Sequence, residues 1–127
     1  MTALRAFARR ALDLVSSPIG SILRVRGAGP VVILTFDDGP DPAVTDALLD
    51  VLAGEAATAT FFMLGSRVRR YPEVARRVRD AGHEIGLHGL DHRRLTALEP
   101  GQAATAIAQG KAELEAELEV SVRWFRP

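Results

Sequence analysis

Cysteine is missing from this 127-residue chain. Its absence excludes disulfides, thiolate nucleophiles and Cys-based zinc sites, leaves the compartment undecided, and means that any bound metal must rely on His and carboxylate ligands. Net charge is missing as well, because 16 Lys and Arg offset 16 Asp and Glu. No overall field therefore selects nucleic acid or an acidic surface as partner, and electrostatic specificity has to be local. No apolar run is long enough to span a bilayer, so no transmembrane segment is expected. The stretch from Ala11 to Val15 follows Arg5, Arg9 and Arg10, but it is broken by Asp13 and is too short for the apolar core of a signal peptide. No cleavable leader is expected, and cytoplasmic and cell-envelope locations both stay open. Internal repeats and low-complexity linkers are also lacking. The rest, 47% hydrophobic and 25% charged residues, is the balance of one ordinary folded domain with a core.

Leu4, Phe7, Ala8, Ala11, Leu12 and Val15 follow helical spacing with arginines on the other face. That helix either packs on the domain or rests on a membrane surface as a basic amphipathic element. Residues 1–30 read as this helix and a lead-in, and residues 31–127 as the domain proper. There a strand at 31–36 precedes a helix with Asp41 as N-cap and Pro42 at its first position, burying Val44, Leu48, Leu49 and Leu52 and ending at Gly54. A β-branched and aromatic strand follows from Thr58 to Met63. Pro72 opens a second helix with Val74, Ala75, Val78 and Ala81 inward, stopped by Gly82. A third strand near His83–Leu87 leads through a polar loop to a long helix, about Pro100–Glu119. Its inward residues are Ala103, Ile107, Leu114 and Leu118, with Glu113, Glu115, Glu117 and Glu119 mostly toward water. A fourth strand, Val120–Phe125, comes last. Near-continuous apolar strands alternating with helices predict a parallel α/β sheet buried on both faces.

Three of these strands run straight into polar clusters: Asp37-Asp38-Gly39-Pro40, His88-Gly89-Leu90-Asp91-His92 and Arg126-Pro127. In parallel sheets the strand C-termini open on one side, where ligands and catalytic residues collect. Adjacent acids point to opposite sides if extension continues, so one carboxylate can bind a metal while the other acts as base. Turn formation or helix capping accounts for the same acids without any site. Two histidines four apart can share an ion, and equally can be solvent-exposed loop residues. Placed on one rim, a carboxylate and two imidazoles make a three-ligand set with an open position, the pattern of catalytic zinc. His83 sits at the far end of its strand and reads as packing. Asp91 is either an acceptor for an imidazole N–H or a solvated loop acid.

Thr35-Phe36-Asp37-Asp38-Gly39-Pro40, Ala59-Thr60-Phe61-Phe62, Gly82-His83-Glu84-Ile85-Gly86 with His88-x-x-x-His92, and Phe125-Arg126-Pro127 resemble, in order and spacing, the successive motifs of the polysaccharide deacetylase family, the NodB-homology domain. The resemblance covers about residues 31–127. It implies the N-terminal part of a distorted (β/α) barrel, truncated after the fourth strand, and metal-dependent hydrolysis of an N-acetyl, less often O-acetyl, group from a carbohydrate such as a chitin oligomer or peptidoglycan. It makes Asp37 the general base, Asp38, His88 and His92 the metal ligands, and Arg126 the residue that orients the base. Zinc suits such a donor set, and cobalt or nickel would also fit it. Gly89 departs from the family's usual Ser or Thr, which puts fine tuning rather than metal binding in question. The family's proton donor, a histidine in a late Leu-x-His motif, has no counterpart among His83, His88 and His92, so this chain alone is expected to be inactive. Since four parallel strands cannot close a barrel and leave an unpaired edge, it is also expected to be marginally folded or aggregation-prone. The alternatives are a non-catalytic metal- or glycan-binding remnant and a metal-independent structural domain.

Overall fold

A computed structural model describes residues 32–127. The helix expected from Leu4 to Val15 and the start of the first strand at Val31 lie outside the described residues. The apolar runs form three strands, β1 (Leu34–Gly39), β2 (Ala59–Leu64) and β3 (Glu84–Gly89), hydrogen-bonded in parallel in the order β1-β2-β3. They alternate with helices α1 (Thr45–Gly54), α2 (Gly65–Arg70), α3 (Pro72–Asp80) and α4 (Pro100–Leu118), plus a 3₁₀ turn at Leu95–Ala97. Parallel neighbours cannot be joined by a hairpin, so each connection carries a helix across the sheet.

Strand alternation sorts the sheet into two unlike faces. Ala59, Phe61, Met63, Ile85 and Leu87 pack with Leu52, Val68, Ala75, Val78, Leu114 and Leu118 into the core. Met63, Leu87, Leu114 and Leu118 are fully buried, each worth about 1.5–3 kcal/mol in apolar transfer. The register sets Thr35 beside Thr60, Thr60 beside Glu84 and Phe62 beside Gly86. These residues form the opposite face, where Thr60 Oγ1 donates to Glu84 Oε2 and the Trp124 indole donates to Glu84 Oε1. The expected burial in apolar residues on both faces holds on this second face for Phe62 and Gly86, and gives way to hydrogen-bonding groups at Thr35, Thr60 and Glu84.

Helix α4 buries Ala106, Gly110, Leu114 and Leu118, one residue every four positions. Gly110 lies directly against the end of β3. A Cβ there would lie 3.0 Å from the Gly89 carbonyl carbon, the Leu90 nitrogen and Leu87 Cδ1. Absence of a side chain therefore lets α4 seat directly behind the segment that carries both rim histidines.

Several expected details differ. α1 starts at Thr45, because Asp41 organises a turn ahead of it: Asp41 Oδ1 accepts the Ala43 N–H and its carbonyl accepts the N–H groups of Val44 and Thr45. Val44 is consequently 61% exposed, and Thr45 is buried in its place. Ala81, the cap residue of α3, is exposed rather than inward. Ala106 and Gly110 replace Ala103 as the buried residues of the first half of α4. Its glutamates are not simply solvated: Glu113 pairs with Arg69, Glu117 with Arg76, and Glu115 with Lys111 and the Val122 N–H. Residues 120–125 form no full strand; they contribute an isolated parallel bridge, Leu87 to Phe125. The short helix α2 was not expected.

Candidate active site

β1 runs through both acids and its alternation breaks at Asp38, whose φ is +67°. The left-handed region costs most residues energy but is tolerated by Asp, whose short polar side chain can bond locally. The pairing with β2 shifts register between Phe36 and Gly39 at the same place, and the Gly39–Pro40 peptide is cis. The left-handed φ and the register shift therefore end the regular alternation of β1 at Asp38. Instead of pointing to opposite sides, the two carboxylates address neighbouring groups on one rim, Asp37 meeting Arg126 and Asp38 meeting the histidines.

Arg126 reaches this rim because its backbone is pinned to β3. The Leu87 N–H donates to the Trp124 carbonyl at 2.8 Å and the Arg126 N–H to the Leu87 carbonyl at 2.9 Å. Its guanidinium Nη1 donates to Asp37 Oδ1 at 2.8 Å and to Thr35 Oγ1 at 3.0 Å. The Phe62 ring lies beneath it, 4.2 Å from guanidinium carbon to ring centroid. Arg126 and Asp37 are both more than a third exposed, so their ion pair contributes at most about 1 kcal/mol to stability. What the contact supplies is orientation. It occupies Asp37 Oδ1, and Oδ2 has no hydrogen-bond partner among the described residues.

Asp38, His88 and His92 offer donor atoms that all lie within 4.8 Å of one another. Asp38 Oδ1 is 3.1 Å from His88 Nε2 and 3.0 Å from His92 Nε2. His88 lies inside β3 rather than in the loop expected after it, whereas His92 is on the exposed turn beyond. His88 Nδ1 is 2.9 Å from the Arg126 carbonyl. A carbonyl only accepts, so Nδ1 carries the proton, and in the neutral ring Nε2 is then a bare lone pair. That lone pair faces a carboxylate oxygen, acceptor against acceptor, which only a proton or a cation between them reconciles. The donor set therefore fits a divalent cation. The two Asp38–imidazole separations, 3.1 and 3.0 Å, are close to the ~3.3 Å between tetrahedral ligands about 2.0–2.1 Å from zinc, and the bond at Nδ1 is the kind of outer contact that fixes a ligating imidazole.

The remaining sequence candidates lie apart from this centre. His83 is buried at the start of β3, accepts the Ala59 N–H at a long 3.4 Å and stacks 5.2 Å from Phe61, and burial pushes its pKa below the ordinary value. Asp91 bonds Arg93, whose guanidinium holds the carboxyl below its usual range, so it serves no imidazole. Asp41 is likewise lowered, by the Ala43 N–H and then by Arg67. Two partners of Arg126, Thr35 and Phe62, escaped the sequence reading. The period of two that puts Thr35 on the face of Asp37 was a usable signal for the first.

The sequence model of the family described as Polysaccharide deacetylase matches residues 24–127. The chain is 48% identical over 77 residues to the peptidoglycan-N-acetylmuramic acid deacetylase PdaC of Bacillus subtilis (strain 168), covering 61% of this chain and 16% of that protein. It is 48% identical over 66 residues to a chitooligosaccharide deacetylase of Rhizobium leguminosarum bv. trifolii, covering 52% of this chain and 31% of that one. The solved structure of peptidoglycan deacetylase PdaC from Bacillus subtilis superposes with a TM-score of 0.74 at 41% identity, over 76% of this chain and 48% of the other. That superposition bears out the expected fold class, part of a distorted (β/α) barrel. This chain spans about half of the solved relative and less than a third of the other two.

Proposed function

The chain belongs to the polysaccharide deacetylase family, and on that premise we propose that its rim removes acetyl groups from an acetylated carbohydrate, an N-acetylated chitin oligomer or peptidoglycan strand, with a divalent metal ion held by Asp38, His88 and His92. The observation that carries the proposal is the convergence of His88 Nε2 and His92 Nε2 on one Asp38 oxygen, with His88 Nδ1 turned to the Arg126 carbonyl, an arrangement that a shared cation satisfies. Zinc is the ion this donor set suits, and cobalt and nickel fit the same ligands. Such an ion supplies Lewis-acid polarisation of the acetyl carbonyl and makes water a stronger acid.

The chain's own residues do the rest. Asp37 is the base: Arg126 holds Oδ1, and Oδ2 takes the proton of the attacking water. The new O–C bond forms at the acetyl carbon, the C–N bond to the sugar breaks, and the departing nitrogen needs a proton. None of the chain's three histidines is placed to give it. His83 is buried at the far end of β3, His88 is held between Arg126 and Asp38, and His92 faces Asp38. That observation favours a second reading for the chain by itself, a metal- or glycan-binding domain with little amide turnover.

Hydrolysis of p-nitrophenyl acetate tests the base, since nitrophenolate departs unprotonated. The zinc-loaded chain is expected to lose about 10²–10⁴-fold in turnover on Asp37→Asn, with zinc stoichiometry unchanged. Equal turnover in the variant overturns the assignment. Acetate release from N-acetylated chitooligosaccharide, measured alongside, separates hydrolysis from binding without turnover.

A further inference from the structure

Arg126 is a long side chain with one nitrogen serving two acceptors, Thr35 Oγ1 and Asp37 Oδ1. An ion pair this exposed gains little against the rotamer freedom of arginine, so the bonds alone do not hold the guanidinium in one place. The Phe62 ring supplies the missing constraint. It is 8% exposed, and the guanidinium lies over its face, where the ring's negative quadrupole attracts a cation. The ring in turn is seated by Gly86, its partner across β2 and β3. A Cβ at position 86 would stand 2.6 Å from Phe62 Cδ1 and Cε1 and 3.3 Å from Cγ. No side chain fits there while the ring stays where it is.

We propose that Gly86 and Phe62 are positioning residues for the base: the bare backbone at Gly86 seats the Phe62 ring, the ring fixes the plane of the Arg126 guanidinium, and Arg126 thereby holds Asp37 Oδ1 with Oδ2 turned to the reacting water. This rests on the reading of Asp37 as base. The chain of contacts runs through β3, β2, residue 126 and β1, and neither Gly86 nor Phe62 is among the metal donors. Displacing the ring therefore acts on proton transfer and leaves metal affinity alone.

The test is made on the zinc-loaded chain. By NMR, the side-chain protons of Arg126 should show an upfield ring-current shift that disappears in Phe62→Leu and moves in Gly86→Ala. With p-nitrophenyl acetate, both variants should lose about tenfold or more in kcat, on the order of one lost orienting contact, with KM and zinc affinity unchanged. Phe62→Tyr, which keeps the flat ring, should recover most of what Phe62→Leu loses; a purely packing role predicts no such recovery. The double variant should fall no further than the worse single one, as expected of residues acting in one line. An Arg126 spectrum without a ring-current shift overturns the proposal. So does full kcat in Phe62→Leu and Gly86→Ala when Asp37→Asn is impaired. Full turnover in Asp37→Asn is a different failure, that of the base reading itself.

Discussion

Hydrolysis by this chain should depend steeply on how well the leaving group departs without help. Breaking a bond to an alkoxide or amide nitrogen needs a proton delivered to the departing atom, and a placed general acid contributes about 10²–10⁴-fold, or about 2.7–5.5 kcal/mol. His83 is five residues before His88, about 16 Å away along an extended strand, and is buried on the core side beside Phe61. His88 Nδ1 is bonded to the Arg126 carbonyl, and its Nε2 and His92 Nε2 face the same Asp38 carboxylate oxygen. On the proposed assignment Asp38, His88 and His92 hold the metal and Asp37 is the base, while none of the three histidines stands where a departing group could take its proton. A series of phenyl acetates bearing leaving groups of rising basicity, each rate divided by that of the background hydroxide reaction, reads this directly. Acceleration by the zinc-loaded chain should be largest for the nitrophenyl ester and should shrink by about 10²–10⁴-fold across the series toward alkyl esters and N-acetyl sugars. A constant acceleration along the series, or brisk acetate release from N-acetylated oligomers, would refute the reasoning.

Two further outcomes concern the scaffold. Leu114 is fully buried where α4 meets the sheet, and Leu114→Ala should lower unfolding free energy by about 2–5 kcal/mol in a denaturant titration; a loss well under about 1 kcal/mol would contradict the packing described. Burial lowers the pKa of His83 below the ordinary imidazole value of 6.5, so between those two values the unfolded chain binds more protons than the folded one. Stability is then present above pH 6.5 and lost as pH falls through the folded pKa, and His83→Gln should flatten that part of the curve. A wild-type stability independent of pH across this window would show the imidazole to be solvated.

The gathering of chemistry at strand ends was legible because it needs only the order of elements and the parallel-sheet rule: Asp37, Asp38, His88, His92 and Arg126 all arrive on one rim. The sequence did not reveal the turn of the chain at Asp38. Alternation predicts opposite sides for adjacent acids, and only the left-handed φ at Asp38 and the register shift undo that. Asp41 followed by Pro42 looks like a helix start, yet the Asp41 side chain bonds Ala43 and delays the helix by one turn. Helix α2, six residues long with Val68 as its one buried apolar side chain, is too short to show a helical period. The row of glutamates on α4 reads as a solvated face until α2 and α3 bring Arg69 and Arg76 against it, a tertiary event with no local signature. Val120–Phe125 has the composition of a strand, but pairing depends on neighbours as well as on propensity, and among the described residues it finds β3 through a single bridge.

The claim on which the rest depends is that Asp38, His88 and His92 bind one divalent ion. Calorimetric titration of zinc into the metal-free chain, beside Asp38→Ala, His88→Ala and His92→Ala, tests it most directly. The account predicts one site per chain, weakened in each variant by more than the ~10–100-fold that loss of an outer-shell partner costs. Zinc affinity unchanged in all three variants would contradict it.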